Sequence, residues 1–279
     1  HQPQRRTVYA KGAENLEVSR VMNESPPRSQ RFLSVLAVNY ICRMTTIVGI
    51  IPSRYASTRF PAKPLVDIAG KSMIQRAYEQ ASKASSLSDV IVATDDQRIF
   101  DHVLSFGGKV MMTSSEHQSG TDRCAEVLSQ MKDVDVIINI QGDEPFIEPD
   151  QIDQLAACFE NPQTQIATLI KKMESQVDLE SDTVVKVSRT DFNKAINFSR
   201  KAFSALEDSY KHIGIYAYRA DTLKTISKLP QSSNELRERL EQLRWLDNGF
   251  QIQLAETEHE SNSVDTPEDL ERLLRQQNL

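Results

Sequence analysis

The sequence predicts an α/β protein built on a largely parallel sheet, and three observations carry that prediction. Short apolar runs, of the kind shown by strands buried on both faces, occur at 47–51, 89–94, 109–113 and 134–140. Between them lie amphipathic stretches long enough for one helix each, the alternation expected of βαβ units. Each run also ends in a polar or proline-bearing cluster, which places chemistry at the carboxyl edge of the sheet, where open α/β folds bind ligands.

The chain has 279 residues, 39% hydrophobic and 26% charged, an ordinary globular composition with room for one large domain. Residues 1–43 read differently. The first 30 are polar, carry Pro26-Pro27 and show no sustained period, which is the composition of a disordered segment. Residues 32–42 are apolar but too short to span a bilayer, and with Arg28, Arg31 and Arg43 around them they faintly resemble a signal-peptide core or transit segment. Met44 reads as a natural start just ahead of the first strand. Residues 1–43 are therefore expected to be a leader or extension outside the fold, and 44–279 one domain. A net charge of −6 argues against a general nucleic-acid binder, and no stretch predicts stable membrane insertion. Cys42, Cys124 and Cys158 are widely spaced and form no CxxC pair, which suggests a reducing compartment and no zinc site.

The first strand runs into a stiff loop in which Pro52, Pro61 and Pro64 forbid a helix and Arg54, Arg59 and Lys63 concentrate positive charge. Three cations near free backbone N–H groups suit a polyphosphate. Ser72 is placed to cap a helix with Met73, Ile74, Ala77, Tyr78 and Ala81 on one face. The second strand ends in Asp95-Asp96, and Asp96 reads as the cap of a helix from 97 to 106. Ser119-Gly120-Thr121-Asp122-Arg123 is a tight turn entering an amphipathic stretch, suited equally to an N-cap or to binding a base edge or phosphate. The fourth strand ends in Gln141-Gly142-Asp143-Glu144-Pro145.

Beyond residue 166 the pattern changes. Short strands are expected at 166–171, 183–187, 194–198 and 212–218 without full helices between them, which predicts antiparallel additions at one edge. Helices return at 220–228 and 234–248, the latter ending at Gly249, and 251–256 forms a last strand. Thr266-Pro267-Glu268-Asp269 begins the final helix with a cap, a proline at its first position and acids in its first turn.

A carboxylate at Asp143, after an apolar strand and a glycine that admits close backbone approach, suits Mg²⁺, which takes one or two carboxylates plus substrate phosphates. It suits an Asx turn as well. Asp265 is the candidate second acid, although an acid before a helix is favoured there by the dipole alone. On the residues alone, His212 reads as a structural strand histidine, and Glu241, Gln242 and Arg244 as a solvated helix face beside Leu240 and Leu243. There is no GxxxxGK[ST] loop, no GxGxxG before a helix, no HExxH and no GxSxG elbow, so a covalent hydrolase is not indicated.

Eight stretches in order carry a closer likeness: 50–65, 92–96, 119–123, 139–145, 198–200, 210–216, 240–244 and 264–269. With them the chain resembles the 3-deoxy-manno-octulosonate cytidylyltransferases, the CMP-Kdo synthetases of lipopolysaccharide assembly. The resemblance implies a Rossmann-like nucleotidyltransferase fold with a mostly parallel central sheet and a small antiparallel dimerisation portion. It further implies a cytoplasmic homodimer that uses Mg²⁺ to convert CTP and Kdo to CMP-Kdo and diphosphate. By the same resemblance Arg54, Ser57, Arg59 and Lys63 would handle the triphosphate, with Lys63, Arg54 and Asp143 catalytic. Ser119, Gly120 and Asp122 would contact the cytidine, and Asp143 and Asp265 would hold the metal. Gln141, Arg200, His212, Tyr216, Glu241 and Gln242 would line the sugar pocket. The sequence departs from the family at Ala62, where glycine is common, at Lys201-Ala202-Phe203-Ser204, where a proline-containing loop is usual, and at Ser261-Asn262-Ser263. The rival readings are a sister enzyme for another acidic sugar, such as a sialic acid or an 8-amino Kdo analogue, and a nucleotide-binding protein without turnover.

Overall fold

The computed structural model describes residues 45–56, 60–260 and 262–276. The expected leader, Ser57 and Arg59 lie outside the described residues. Strand β1 (Ile47–Ser53) is an interior strand of the sheet, paired on both edges and buried on both faces. Val48 and Ile50 enter one core, while Ile47 and Ile51 enter the other. A continuous apolar run does this, and an alternating one cannot.

After β1 come the hairpin β2 (Asp67–Ile68) and β3 (Lys71–Ser72), then β4 (Asp89–Thr94), β5 (Val110–Met112), β6 (Val136–Asn139) and β7 (Ile166–Lys172). The arm strands β8 (Lys186–Arg189) and β9 (Ala195–Ser199) precede the long β10 (Tyr210–Arg219), and β11 (Ile252–Glu256) is last. The main sheet has the order β11-β7-β10-β6-β1-β4-β5. Strands β6, β1, β4 and β5 are mutually parallel, as are β11 and β7. Only β10 runs against its neighbours β6 and β7 in this path. Strands β8 and β9 extend from the start of β10 as an antiparallel arm, within a few residues of the positions expected.

Helices cover both faces. On one side lie α1 (Met73–Ala81), α2 (Gln97–Ser105) and α4 (Pro149–Ala157), which bury Ile74, Ile99, Val103, Ile152 and Leu155. On the other lie α3 (Gly120–Ser129), α6 (Ala220–Ile226) and α8 (Gln242–Asp247), which bury Cys124, Val127, Leu223, Leu243 and Trp245. The short helices α5 (Gln176–Glu180) and α7 (Ser233–Glu238) complete the connections. The final helix α9 (Pro267–Gln276) docks through Leu273 and the preceding Val264 onto Ile68 and Met73 as a small third core. The caps fall where the residue types demand. Ser72 accepts from the Gln75 N–H at 3.2 Å, Asp96 from Arg98 at 2.9 Å, and Thr266 from Asp269 at 3.2 Å. The sequence reading passes over α4, whose first two turns carry only two large apolar residues, Ile152 and Leu155.

One expected helix is two. The stretch 234–248 breaks between α7 and α8, where Arg239 takes the left-handed conformation (φ 56°, ψ 46°). Arg244 explains the break. It grips Glu235 with two parallel hydrogen bonds, Nε to Oε2 at 2.8 Å and Nη2 to Oε1 at 2.5 Å, and both side chains are buried. On a continuous helix residues nine apart would face opposite sides, so the pair forms only if the chain turns. Gln242 and Arg244 are thus buried, against the solvated face that helical spacing predicts for them.

Ala62 shows why glycine suits its position. Its φ of 58° and ψ of 17° are left-handed, and its N–H and C=O close the loop onto Tyr55 O and Leu65 N at 3.2 and 2.9 Å. A Cβ in that region costs roughly 1–2 kcal/mol. Ala62→Gly is expected to raise the unfolding free energy by up to about 1 kcal/mol after its entropic cost in the unfolded chain. Urea denaturation measures it, and a destabilised variant would show that the loop stores no strain there.

Candidate active site

Three loops far apart in sequence meet at one point. Lys63 opens the short turn Lys63–Leu65, Asp143 follows the end of β6, and Asp265 stands two residues before α9. The Lys63 ammonium donates to Asp143 Oδ2 at 2.8 Å and to Asp265 Oδ1 at 3.3 Å. The backbone holds the same junction, since Val264 N–H donates to Asp143 O at 2.9 Å. Gly142 is needed just before Asp143. A Cβ there would stand 3.1 Å from Pro52 O and 3.2 Å from Ile51 Cγ2, so the turn carrying Asp143 lies directly against β1.

These carboxylates open onto a cleft of about 1000 Å³ whose walls include Gln141, Arg200, Lys211, His212 and Gly214. Gln141 is aimed by its Nε2, which donates to Gly214 O at 3.0 Å, where β10 shifts register against β7 between Ile213 and Tyr216. The Arg200 guanidinium donates to Asp182 O and Thr183 O at 3.1 and 3.2 Å.

His212 is set by its neighbours. Its ring packs edge-on to Phe198 and tilted to Tyr216, with centroids 5.3 and 5.2 Å apart. Its Nε2 lies 2.9 Å from Thr168 Oγ1, which donates its one proton to Ile215 O at 2.7 Å. Thr168 must then accept, so Nε2 carries the ring proton and Nδ1 is the free acceptor. Burial pushes the imidazole pKa down to about 3 from 6.5, so it works as a neutral hydrogen-bonding group. Tyr216 stands behind His212, buried against Trp245, and burial raises its phenol.

The other expected groups lie around a second depression. Ser119 and Asp122 bond reciprocally as a capping box, at 3.1 and 3.2 Å. Ser119 and Glu241 line a hollow of about 410 Å³ beside Arg239 and Arg244. The half-buried Glu241 carboxylate accepts from Thr121 Oγ1 at 2.9 Å, and burial raises its pKa. A Cβ on Gly120 would stand 3.3 Å from Pro52 and 3.4 Å from Asn139, so this turn packs on the ends of β1 and β6. Arg54 is exposed at the end of β1. The structure therefore gathers Lys63, Asp143, Asp265, Gln141, Arg200 and His212 at one cleft. It sets Ser119 and Glu241 at another, with Gly120 and Asp122 in the same helical turn as Ser119, and buries Tyr216 and Gln242.

Several supporting groups escape a sequence reading. Arg123, 1% exposed, pairs with Asp95 at 3.0 Å and with the Thr113 hydroxyl, tying together the ends of β4 and β5. Thr121 and Thr168 act across 120 and 44 residues. No local signal marks such pairings, because each is made by strand and helix neighbours chosen in the fold.

The cytidylyltransferase family profile matches residues 48–270. A 3-deoxy-manno-octulosonate cytidylyltransferase of Parabacteroides distasonis is 51% identical over 247 residues, covering 83% of this chain and 98% of its own. Its namesake from Bacteroides thetaiotaomicron is 51% identical over 238 residues, covering 80% and 94%. The chain belongs to the 3-deoxy-manno-octulosonate cytidylyltransferase family. A solved CMP:2-keto-3-deoxy-manno-octonic acid synthetase complexed with CTP matches with a TM-score of 0.80 at 41% identity, over 84% of this chain and all of its own. A 4-diphosphocytidyl-2C-methyl-D-erythritol synthase from Anaerococcus prevotii shares the fold alone, at a TM-score of 0.59 and 11% identity. The Rossmann-like nucleotidyltransferase architecture, with its mostly parallel sheet and antiparallel arm, is thus the fold of this chain.

The His212 environment gives a test. The folded pKa lies below the unfolded one, so between about 6.5 and 3 the unfolded chain binds the extra proton. This contribution to stability is complete above about pH 6.5 and is lost as pH falls toward 3. His212→Asn is expected to flatten the slope of unfolding free energy against pH between 6.5 and 4, measured by urea titration at fixed pH. Equal slopes in the two proteins would mean that the ring titrates as if in water.

Proposed function

We propose that the chain activates 3-deoxy-manno-octulosonate by transferring the cytidylyl group of CTP to its anomeric 2-hydroxyl. The new bond joins that oxygen to the α-phosphorus, the α–β anhydride bond breaks, the hydroxyl loses its proton and diphosphate leaves. The observation that carries this reading is the meeting of Lys63 with Asp143 and Asp265 at the edge of a cleft walled by Arg200, Gln141 and His212. The half-identical relatives named for the reaction, and the solved relative complexed with CTP, support it.

Asp143 and Asp265 fit Mg²⁺, since one cation, the Lys63 ammonium, already lies within 3.3 Å of an oxygen of each. When bound, that ion would offset phosphate charge and acidify the sugar hydroxyl. Lys63 would turn to the phosphates alongside Arg54, Ser57 and Arg59. Ser119, Gly120 and Asp122 would hold the cytidine through the first turn of α3, whose N–H groups and dipole favour polar acceptors. Arg200 would take the sugar carboxylate in a planar fork. Gln141 and neutral His212 on the cleft wall would read the hydroxyls, with Tyr216 packed behind His212. Of Glu241 and Gln242, which the family likeness also assigns to the sugar, Glu241 lines the second hollow and Gln242 is buried. Displacement at phosphorus needs chiefly positioning and charge compensation, which these groups supply. The exposed Phe192 and Ile196 on the β8–β9 arm support a homodimer, and dependence on CTP argues for action in the cytoplasm.

Asp143→Asn is expected to fold and to lose CMP-Kdo synthesis by roughly two or more orders of magnitude, as for a lost charge-stabilising group. Diphosphate release reports it, and near-normal turnover would remove Asp143 from the reaction. The same assay run over Kdo, an 8-amino analogue and a sialic acid is expected to rank Kdo first. A higher kcat/KM for another acid would reassign the sugar, and CTP binding with no release from any would indicate a binding protein.

A further inference from the structure

Lys186 on β8 is 1% exposed, although lysine is among the residues least often buried. Its ammonium donates to Ser181 O at 2.5 Å and to Arg200 O at 2.7 Å, both of them carbonyl oxygens. An ammonium desolvated and hydrogen-bonded only to carbonyl oxygens is costly, the nearby Asp182 and Asp178 carboxylates partly offset that cost, and a Met of similar length would fill the space without it. What the arrangement secures is Arg200. Lys186 holds its backbone oxygen, while its guanidinium donates to Asp182 O and Thr183 O, the two residues after Lys186's other partner. The three contacts close a ring: Lys186 to turn 181–183, turn to guanidinium, Arg200 carbonyl back to Lys186. Packing does not hold Arg200 from the other side, because residues 201–205 are all exposed. On β8 the same lysine pairs in register with Ser199 of β9 and Lys211 of β10, so the ring is anchored to the strand that carries His212.

We propose that Lys186 is a positioning residue for sugar binding, fixing the Arg200 backbone so that its guanidinium stays on the cleft wall to meet the substrate carboxylate. This rests on the reading of Arg200 given above, and the experiment separates the two. Diphosphate release is measured for Lys186→Met, Lys186→Gln, Arg200→Ala and the Lys186→Met/Arg200→Ala double variant, with KM for Kdo and for CTP taken separately. A displaced guanidinium is expected to raise the KM for Kdo about tenfold or more in Lys186→Met while the KM for CTP moves less than about twofold. Lys186→Gln, which keeps a donor, is expected to fall between Lys186→Met and the parent. The double variant is expected to be no worse than Arg200→Ala, since Lys186 acts through Arg200. A Kdo KM unchanged in Lys186→Met, equal rises in both KM values, or additive losses in the double variant would overturn the proposal while leaving Arg200 in place. An unchanged Kdo KM in Arg200→Ala would overturn the reading of Arg200 and the proposal together. Failure of both Lys186 variants to fold, followed by circular dichroism, would assign the lysine to stability and overturn it as well.

Discussion

The Lys63 ammonium between Asp143 and Asp265 is the contact on which the arrangement of the site depends. Its partners lie 80 and 202 residues away, on turns that share no secondary structure. Two carboxylates drawn to one place repel each other, and a half-buried cation offsets that cost. The junction is also held mechanically by the Val264–Asp143 backbone bond and by the small core of Val264, Leu273, Ile68 and Met73. The final helix therefore does more than finish the fold. It brings an acid back to the carboxyl edge of the sheet, where β1 and β6 end.

The sheet supplies the rest of the geometry. Parallel strands β6, β1 and β4 end on the same side, so their following turns are neighbours whatever their separation in sequence. The reversed strand β10 runs beside β6 with Tyr216 opposite Asn139, and so brings His212 and Gly214 past that edge to the cleft wall. Its register shift gives Gln141 a carbonyl to hold. Glycine at 120 and 142 lets two turns press on the end of β1.

Polar groups inside the domain are stabilised by partners rather than by solvent. Arg244 with Glu235, Arg123 with Asp95, and Thr121 with Glu241 each join elements that meet only in the fold. Losing one partner of such a pair leaves a charge or hydroxyl buried without compensation, which costs more than the pair contributes. Glu235, Glu241 and Arg244 line the smaller hollow, and Arg123 ties together the ends of β4 and β5.

Strand and helix identity was legible because burial on two faces, 3.6-residue spacing and capping residues are local properties. The apolar run at 47–51 (though not its continuation through Pro52 and Ser53), the Ser72, Asp96 and Thr266 caps, and the glycine before Asp143 could all be read from the chain itself. The family likeness rests on ordered motifs, and those motifs point to Asp143, Asp265 and Lys63. What required tertiary structure was every fact about partnership. Only the fold decided that 234–248 breaks at Arg239, that Gln242 and Arg244 turn inward, that Glu241 sits on Thr121, and that a buried lysine holds Arg200. The reason is physical: a side chain's partner across space is chosen by how strands stack and turns close, and residue spacing along the chain carries no record of that choice.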